Sequence, residues 1–78
     1  MHNYSAIAEE LLLNATDYIG NDPASFGADN KALEEMRTNE MFRAHVKKEV
    51  NDYHAEYEDL PQEEAASIVW DMYQDWAY

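Results

Sequence analysis

The stretch MFRAHVKKEVNDYHAEY, residues 41–57, carries an apolar or aromatic residue at every third or fourth position. Because an α-helix turns once in about 3.6 residues, this spacing places those side chains on one face of a helix. Thr38 or Asn39 can cap its start. Leu60 and Pro61 interrupt its end, since proline disfavours helical backbone in the residue before it. The stretch therefore predicts an amphipathic helix with an inward stripe of Phe42, Val46, Val50, Tyr53 and Tyr57.

Helical spacing also dominates the segments on either side of this stretch, and no period-two strand pattern is present. Gly20 is suited to end a first helix, and Asp29 or Asn30 can cap a short one that carries Leu33 and Met36 inward. The predicted order is a helix over about 4–19, a loop over 20–30, a short helix over 31–37, the helix described above, and a last helix over about 61–77. The sequence predicts an all-α fold: one acidic domain over residues 1–78, a small bundle of three longer helices and one short helix.

Composition narrows the classes of function. The 78 residues have a net charge of -12 and no cysteine, which excludes disulfides and thiolate chemistry. Nucleic acids and anionic lipids attract proteins through lysine and arginine, and they repel a chain with this net negative charge. We therefore expect no direct nucleic-acid contact and no docking on anionic lipid. Hydrophobic residues at 46% favour a folded domain over a disordered acidic tail. Without a basic leader or a membrane-length apolar run, the chain is expected to be cytoplasmic.

The charge is unevenly distributed. All five lysines and arginines fall within residues 31–48, whereas residues 49–78 carry nine acids and no lysine or arginine. Carboxylates at helical spacing repel one another, at a cost of roughly 0.2 to 0.5 kcal/mol per pair, so the acidic rows do not serve stability. On a continuous helix, one row of about 15 Å consists of Glu49, Asp52, Glu56 and Asp59, continued beyond the proline by Glu63; a second, on the last helix, consists of Glu64, Asp71 and Asp75.

Two runs, NDYHAEYEDLPQEE at 51–64 and WDMYQDWAY at 70–78, combine these acids with aromatic residues. In size, acidity and helical composition the chain resembles the small phage-encoded DNA mimics that inhibit restriction or CRISPR systems. The resemblance implies a stoichiometric inhibitor, acting in the host cytoplasm, that occupies the nucleic-acid channel of a basic nucleic-acid-binding protein and performs no chemistry. The basic segment 31–48 departs from an all-acidic mimic, and its side chains could instead bridge to acids within the fold.

The aromatic residues of the last helix suggest an alternative. Trp76 belongs to a stripe expected to close the core, whereas Trp70 and Tyr73 lie on a second stripe and are predicted to form a partner or homodimer surface. The alternative function is an acidic adaptor or structural bundle that binds a basic partner unrelated to nucleic acid. A third possibility is that the acids only keep the protein in solution.

Catalysis and metal binding have little support in the sequence. No catalytic motif is present, and we expect no enzyme activity and no cofactor. His45 with Glu49, and His54 with Glu58, could each place two ligands on a metal at i and i+4, but a folded metal site needs more converging ligands. We therefore predict no metal site.

Overall fold

A computed structural model describes residues 4–78, with side chains from residue 6 onward. These residues form six helices and no strand, which confirms the all-α bundle. The four longer helices correspond to the predicted ones, and the two four-residue helices are additional. In chain order the helices are α1 (Tyr4–Asn21), α2 (Pro23–Phe26), α3 (Asn30–Thr38), α4 (Glu40–Asp52), α5 (His54–Tyr57) and α6 (Gln62–Ala77).

Helix α1 is the centre of the bundle, because it contacts each of the other helices, with the most extensive contact to α6. Its buried face supplies Leu11, Leu12 and Ile19 to a single core. Phe42 is fully buried there and meets two rings of α6, with centroids 5.5 Å from Tyr73 and 5.4 Å from Trp76. The largest fully buried side chains, Phe42, Leu12, Ile19, Met36, Val46, Val50 and Val69, come from α1, α3, α4 and α6.

Two side-chain caps fix where α3 and α4 begin. The Asp29 carboxylate accepts a hydrogen bond of 2.8 Å from the Ala32 amide, so Asp29 and not Asn30 caps α3. The Asn39 side chain accepts hydrogen bonds from the amides of Met41 and Phe42, at 2.9 and 3.0 Å, and caps α4. These bonds satisfy amides that have no partner within the helix. The sequence left two candidates open for each cap, and the structure selects Asp29 for α3 and Asn39 for α4.

The predicted continuous helix through residue 57 is wrong, because α4 ends at Asp52. Tyr53 takes φ -132° and ψ 39°, outside the helical region, and its side chain is 54% exposed instead of facing the core. The helix resumes for only four residues as α5, where Tyr57 packs against the core. After the break, α5 contacts α1.

The predicted first loop also contains more helix than expected. Helix α1 continues through Gly20 to Asn21, and α2 follows, with Gly27 at φ 72° ending it. Phe26 of α2 meets Tyr18 of α1 edge to face, at a centroid distance of 6.0 Å.

None of the helices within residues 4–78 is long and apolar enough to span a membrane.

Candidate acidic interaction surface

The carboxylates of α6 form the more regular of the two predicted rows. Glu64, Asp71 and Asp75 are exposed, and α6 is unbroken from Gln62 to Ala77. Over eleven residues at about 1.5 Å each, the row extends for about 16 Å. Among residues 6–78, none of the three lies within ion-pairing distance of a basic side chain. The ion pairs of this part of the chain involve the carboxylates of Glu9, Asp52 and Glu58 instead. We call Glu64, Asp71 and Asp75 the α6 acidic row.

The predicted straight row of Glu49, Asp52, Glu56 and Asp59 is not formed. Glu49 and Asp52 belong to α4, Glu56 belongs to α5, and Asp59 lies in the following turn at φ 57°. The straight row of about 15 Å required one continuous helix. Asp52 also lies 3.9 Å from the Nζ atom of Lys48, so its charge is partly balanced. Of these carboxylates, Glu49 is half-buried and the other three are exposed.

The negative charge around the break between α4 and α5 affects the pKa of Tyr57. Burial is the larger effect that raises the pKa of its phenol, and the carboxylates of Glu49 and Glu56 raise that pKa further. Both carboxylates therefore act on the same hydroxyl, although they belong to different helices. These acids lie on two helices and a turn and do not form one extended row.

The basic segment is used largely within the fold. Arg43 of α4 makes an ion pair with Glu9 of α1, and the Nζ atom of Lys47 lies 3.5 Å from the same carboxylate. The hydrogen bond from Arg43 is the main reason that the pKa of Glu9 is lowered. Arg37 also donates to the carbonyl oxygen of Thr16 on α1, at 3.4 Å. The sequence suggested that these basic side chains could pair with acids within the fold, and the structure confirms this for Arg43 and Lys47.

The aromatic pair predicted as a partner surface is divided between core and surface. Tyr73 is only 5% exposed, and burial followed by the nearby Glu35 carboxylate raises its pKa. The Trp70 ring is half-buried and stacks on Tyr73 with a centroid distance of 5.7 Å and an interplanar angle of 18°. Tyr73 is thus a core residue, which corrects its assignment to the surface. Trp70 remains accessible beside it.

A groove that the sequence did not reveal lies between α1 and the connection from α5 to α6. It has a volume of about 260 Å³, and the residues that line it include three acidic ones, Glu10, Glu58 and Asp59. Glu10 was missed because it lies 48 residues before Glu58, and no spacing rule connects residues that distant. Glu58 was considered only as a partner for His54 in a metal pair.

The potential metal pairs do not develop into a site. The Nδ1 atom of His54 lies 3.9 Å from a Glu58 carboxylate oxygen. Within the part of the chain that the structure describes, no three histidine, aspartate or glutamate side chains converge to hold a metal ion.

The chain was compared with family models, with characterised proteins and with solved structures, and none of the three comparisons gives a match.

Proposed function

We propose that this protein is a stoichiometric inhibitor that imitates the phosphate charge of nucleic acid and blocks the DNA- or RNA-binding channel of a basic protein, such as a restriction or CRISPR effector. The observation that carries the proposal is the α6 acidic row, which is exposed, regular and without a basic partner among the described residues. Such a protein needs complementarity to a basic groove and no reaction of its own.

The arrangement of charge supports the proposal in two ways. Successive members of the α6 acidic row are separated by two turns and then one turn of helix, so they face one direction as the phosphates of a strand do. Two of the five lysines and arginines, Arg43 and Lys47, are paired with Glu9 of α1. Their charge is therefore partly balanced within the fold, and the carboxylates of the α6 acidic row are left to attract a basic protein.

Competition with DNA tests the proposal. We expect purified restriction or CRISPR effectors that bind this protein to lose it when duplex DNA of their target sequence is added. The complex should also weaken steeply as salt rises, because screening acts on exposed charges. A ternary complex of effector, DNA and this protein at equal occupancy would contradict mimicry. A basic protein without a nucleic-acid site serves as the negative control.

A matched pair of variants tests the surface. Glu64→Gln with Asp71→Asn removes two charges from the α6 acidic row, and each loss should weaken the complex up to about fivefold. The control, Glu34→Gln with Asp17→Asn, removes the same charges from exposed positions on α3 and α1. Equal weakening by both variants would show that only net charge matters and would remove the role of α6.

An acidic adaptor is the second candidate, and the half-buried Trp70 favours it. Trp70 offers a large apolar surface beside the α6 acidic row, as interface anchors do. In that case Trp70→Ala would abolish partner binding or homodimer formation, and loss of the acids would change little. Analytical ultracentrifugation of Trp70→Ala and of the double variant Glu64→Gln with Asp71→Asn shows which one loses homodimer formation. Binding titrations of the same two variants with a basic partner show which one loses partner binding.

A further inference from the structure

We propose that the groove between α1 and the α5–α6 connection receives an arginine side chain of the protein partner. This inference rests on the proposed function only in requiring that the partner be basic. It adds a specific attachment point to a surface that would otherwise attract its partner through distributed charge alone.

The base of the groove is apolar. Leu11 and Ala65, which are 4% and 1% exposed, form its buried part, and Ile7, Tyr57 and Leu60 pack against the core around them. A volume of about 260 Å³ lies below the range of about 300 to 1,000 Å³ typical of pockets for small molecules and cofactors. One long side chain is an occupant of suitable size.

The rim of the groove is acidic on both sides. The acidic residue Glu10 lines the groove from α1, and Glu58 and Asp59 line it from the turn after α5. All three residues are exposed, and among residues 6–78 neither a lysine nor an arginine lines the groove. His54 can carry positive charge, and its Nδ1 atom lies 3.9 Å from Glu58.

Arginine fits this combination better than other cationic groups. Its aliphatic stem can lie on apolar side chains while the charged head stays at the wet rim. The guanidinium carries five N–H donors in a planar arrangement and can bind carboxylates from two directions. A hydrated metal ion would gain nothing from Leu11 and Leu60, so the apolar base of the groove argues for an organic cation.

Binding of N-acetyl-arginine N-methylamide tests the inference without knowledge of the partner. The probe is titrated into the ¹⁵N-labelled chain of 78 residues at constant ionic strength, and the matched citrulline compound serves as the neutral control. We expect saturable amide shifts centred on Leu11, Glu58 and Leu60 with arginine. Citrulline, which has nearly the same shape and no charge, should produce much smaller shifts.

Variants then identify the carboxylates that matter. Glu58→Gln and Asp59→Asn should each raise the dissociation constant of the probe, by up to about fivefold. Asparagine is chosen at position 59 because it tolerates the positive φ of 57°. Asp17→Asn and Glu34→Gln, exposed and outside the groove, should leave the dissociation constant unchanged.

Three results would overturn the inference: no saturable shifts at the groove, equal shifts with citrulline, or displacement of the probe by magnesium chloride but not by sodium chloride of equal ionic strength. Its failure is distinguishable from failure of the proposed function. If DNA competes with this protein while the probe ignores the groove, only the inference is wrong. If the probe binds while no complex is sensitive to DNA, mimicry is wrong and the groove remains a site for a basic partner.

Discussion

Replacing Phe42 by leucine should destabilise the fold by about 2 to 4 kcal/mol. The side chain is completely buried, and its ring is the point at which α4 meets the aromatic residues of α6. Leucine remains apolar but is smaller and lacks the flat ring. The substitution therefore removes specific contacts without placing a polar group in the core.

The magnitude follows from the contacts that are lost. The change in shape costs about 1 kcal/mol in a well-packed core. The ring also loses its edge-to-face partner Tyr73, at 5.5 Å and 83°, and its tilted partner Trp76, at 5.4 Å. Each aromatic pair contributes about 0.5 to 1.5 kcal/mol beyond its buried area. A domain of this length has about 4 to 12 kcal/mol of stability in total, so the loss is a large fraction.

Urea unfolding, followed by far-UV circular dichroism and tryptophan fluorescence, measures the free energy of unfolding for each variant. The control is Met41→Ala at the neighbouring position, where the side chain is 74% exposed. We expect that control to change stability by less than about 0.5 kcal/mol. If Phe42→Leu costs no more than the control, Phe42 does not join α4 to α6 and the packing described above is wrong.

Two further outcomes follow from the cap at Asn39 and from the buried tyrosines. Asn39→Ala should lower the free energy of unfolding by about 1 kcal/mol, because the amides of Met41 and Phe42 lose their acceptor, and Asn39→Asp should restore most of it; equal urea midpoints for both would refute the cap. Burial first, and nearby carboxylates second, raise the pKa of Tyr57 and of Tyr73 above 10.0, so the folded state holds these protons more tightly than the unfolded state. Their contribution is therefore complete below about pH 10 and is lost as pH rises through the folded values, which urea unfolding at stepped alkaline pH will show. Tyr73→Phe should reduce that alkaline loss, and an unchanged loss would contradict the role of Tyr73.

The four longer helices were predictable because local periodicity identifies them. Asp29 and Asn39 cap their helices through side chains that reach amides two or three residues ahead. The sequence narrowed each cap to two neighbouring residues, and the hydrogen bonds select one of them. Phe42, Val46 and Val50 likewise follow a single helical period and are buried as expected. The end of α4 was missed, because Tyr53 continues the same period and only its departure from helical backbone shows that the helix has stopped.

The candidate surfaces were predictable only where the helix is continuous. The α6 acidic row could be drawn from spacing alone, since Gln62–Ala77 is one helix. The row from Glu49 to Asp59 could not be predicted from spacing, because the chain changes direction at Tyr53 and again at Asp59, which has a positive φ. The prediction for Tyr73 was wrong because α6 has two apolar stripes, and the sequence does not show that residues of both stripes, Tyr73 and Trp76, contact Phe42 of α4.

The sequence by itself determined the helical class, the candidate caps, the acidity and the absence of lysine and arginine from residues 49–78. These depend on local periodicity, short-range hydrogen bonds and composition, which tertiary contacts change little. Only the tertiary structure brought Glu10 beside Glu58 across a groove, paired Glu9 with Arg43, and buried Tyr73 beneath Trp70. Each of those relations joins separate helices or depends on which helical face is covered, and the packing of α1 against its neighbours sets both.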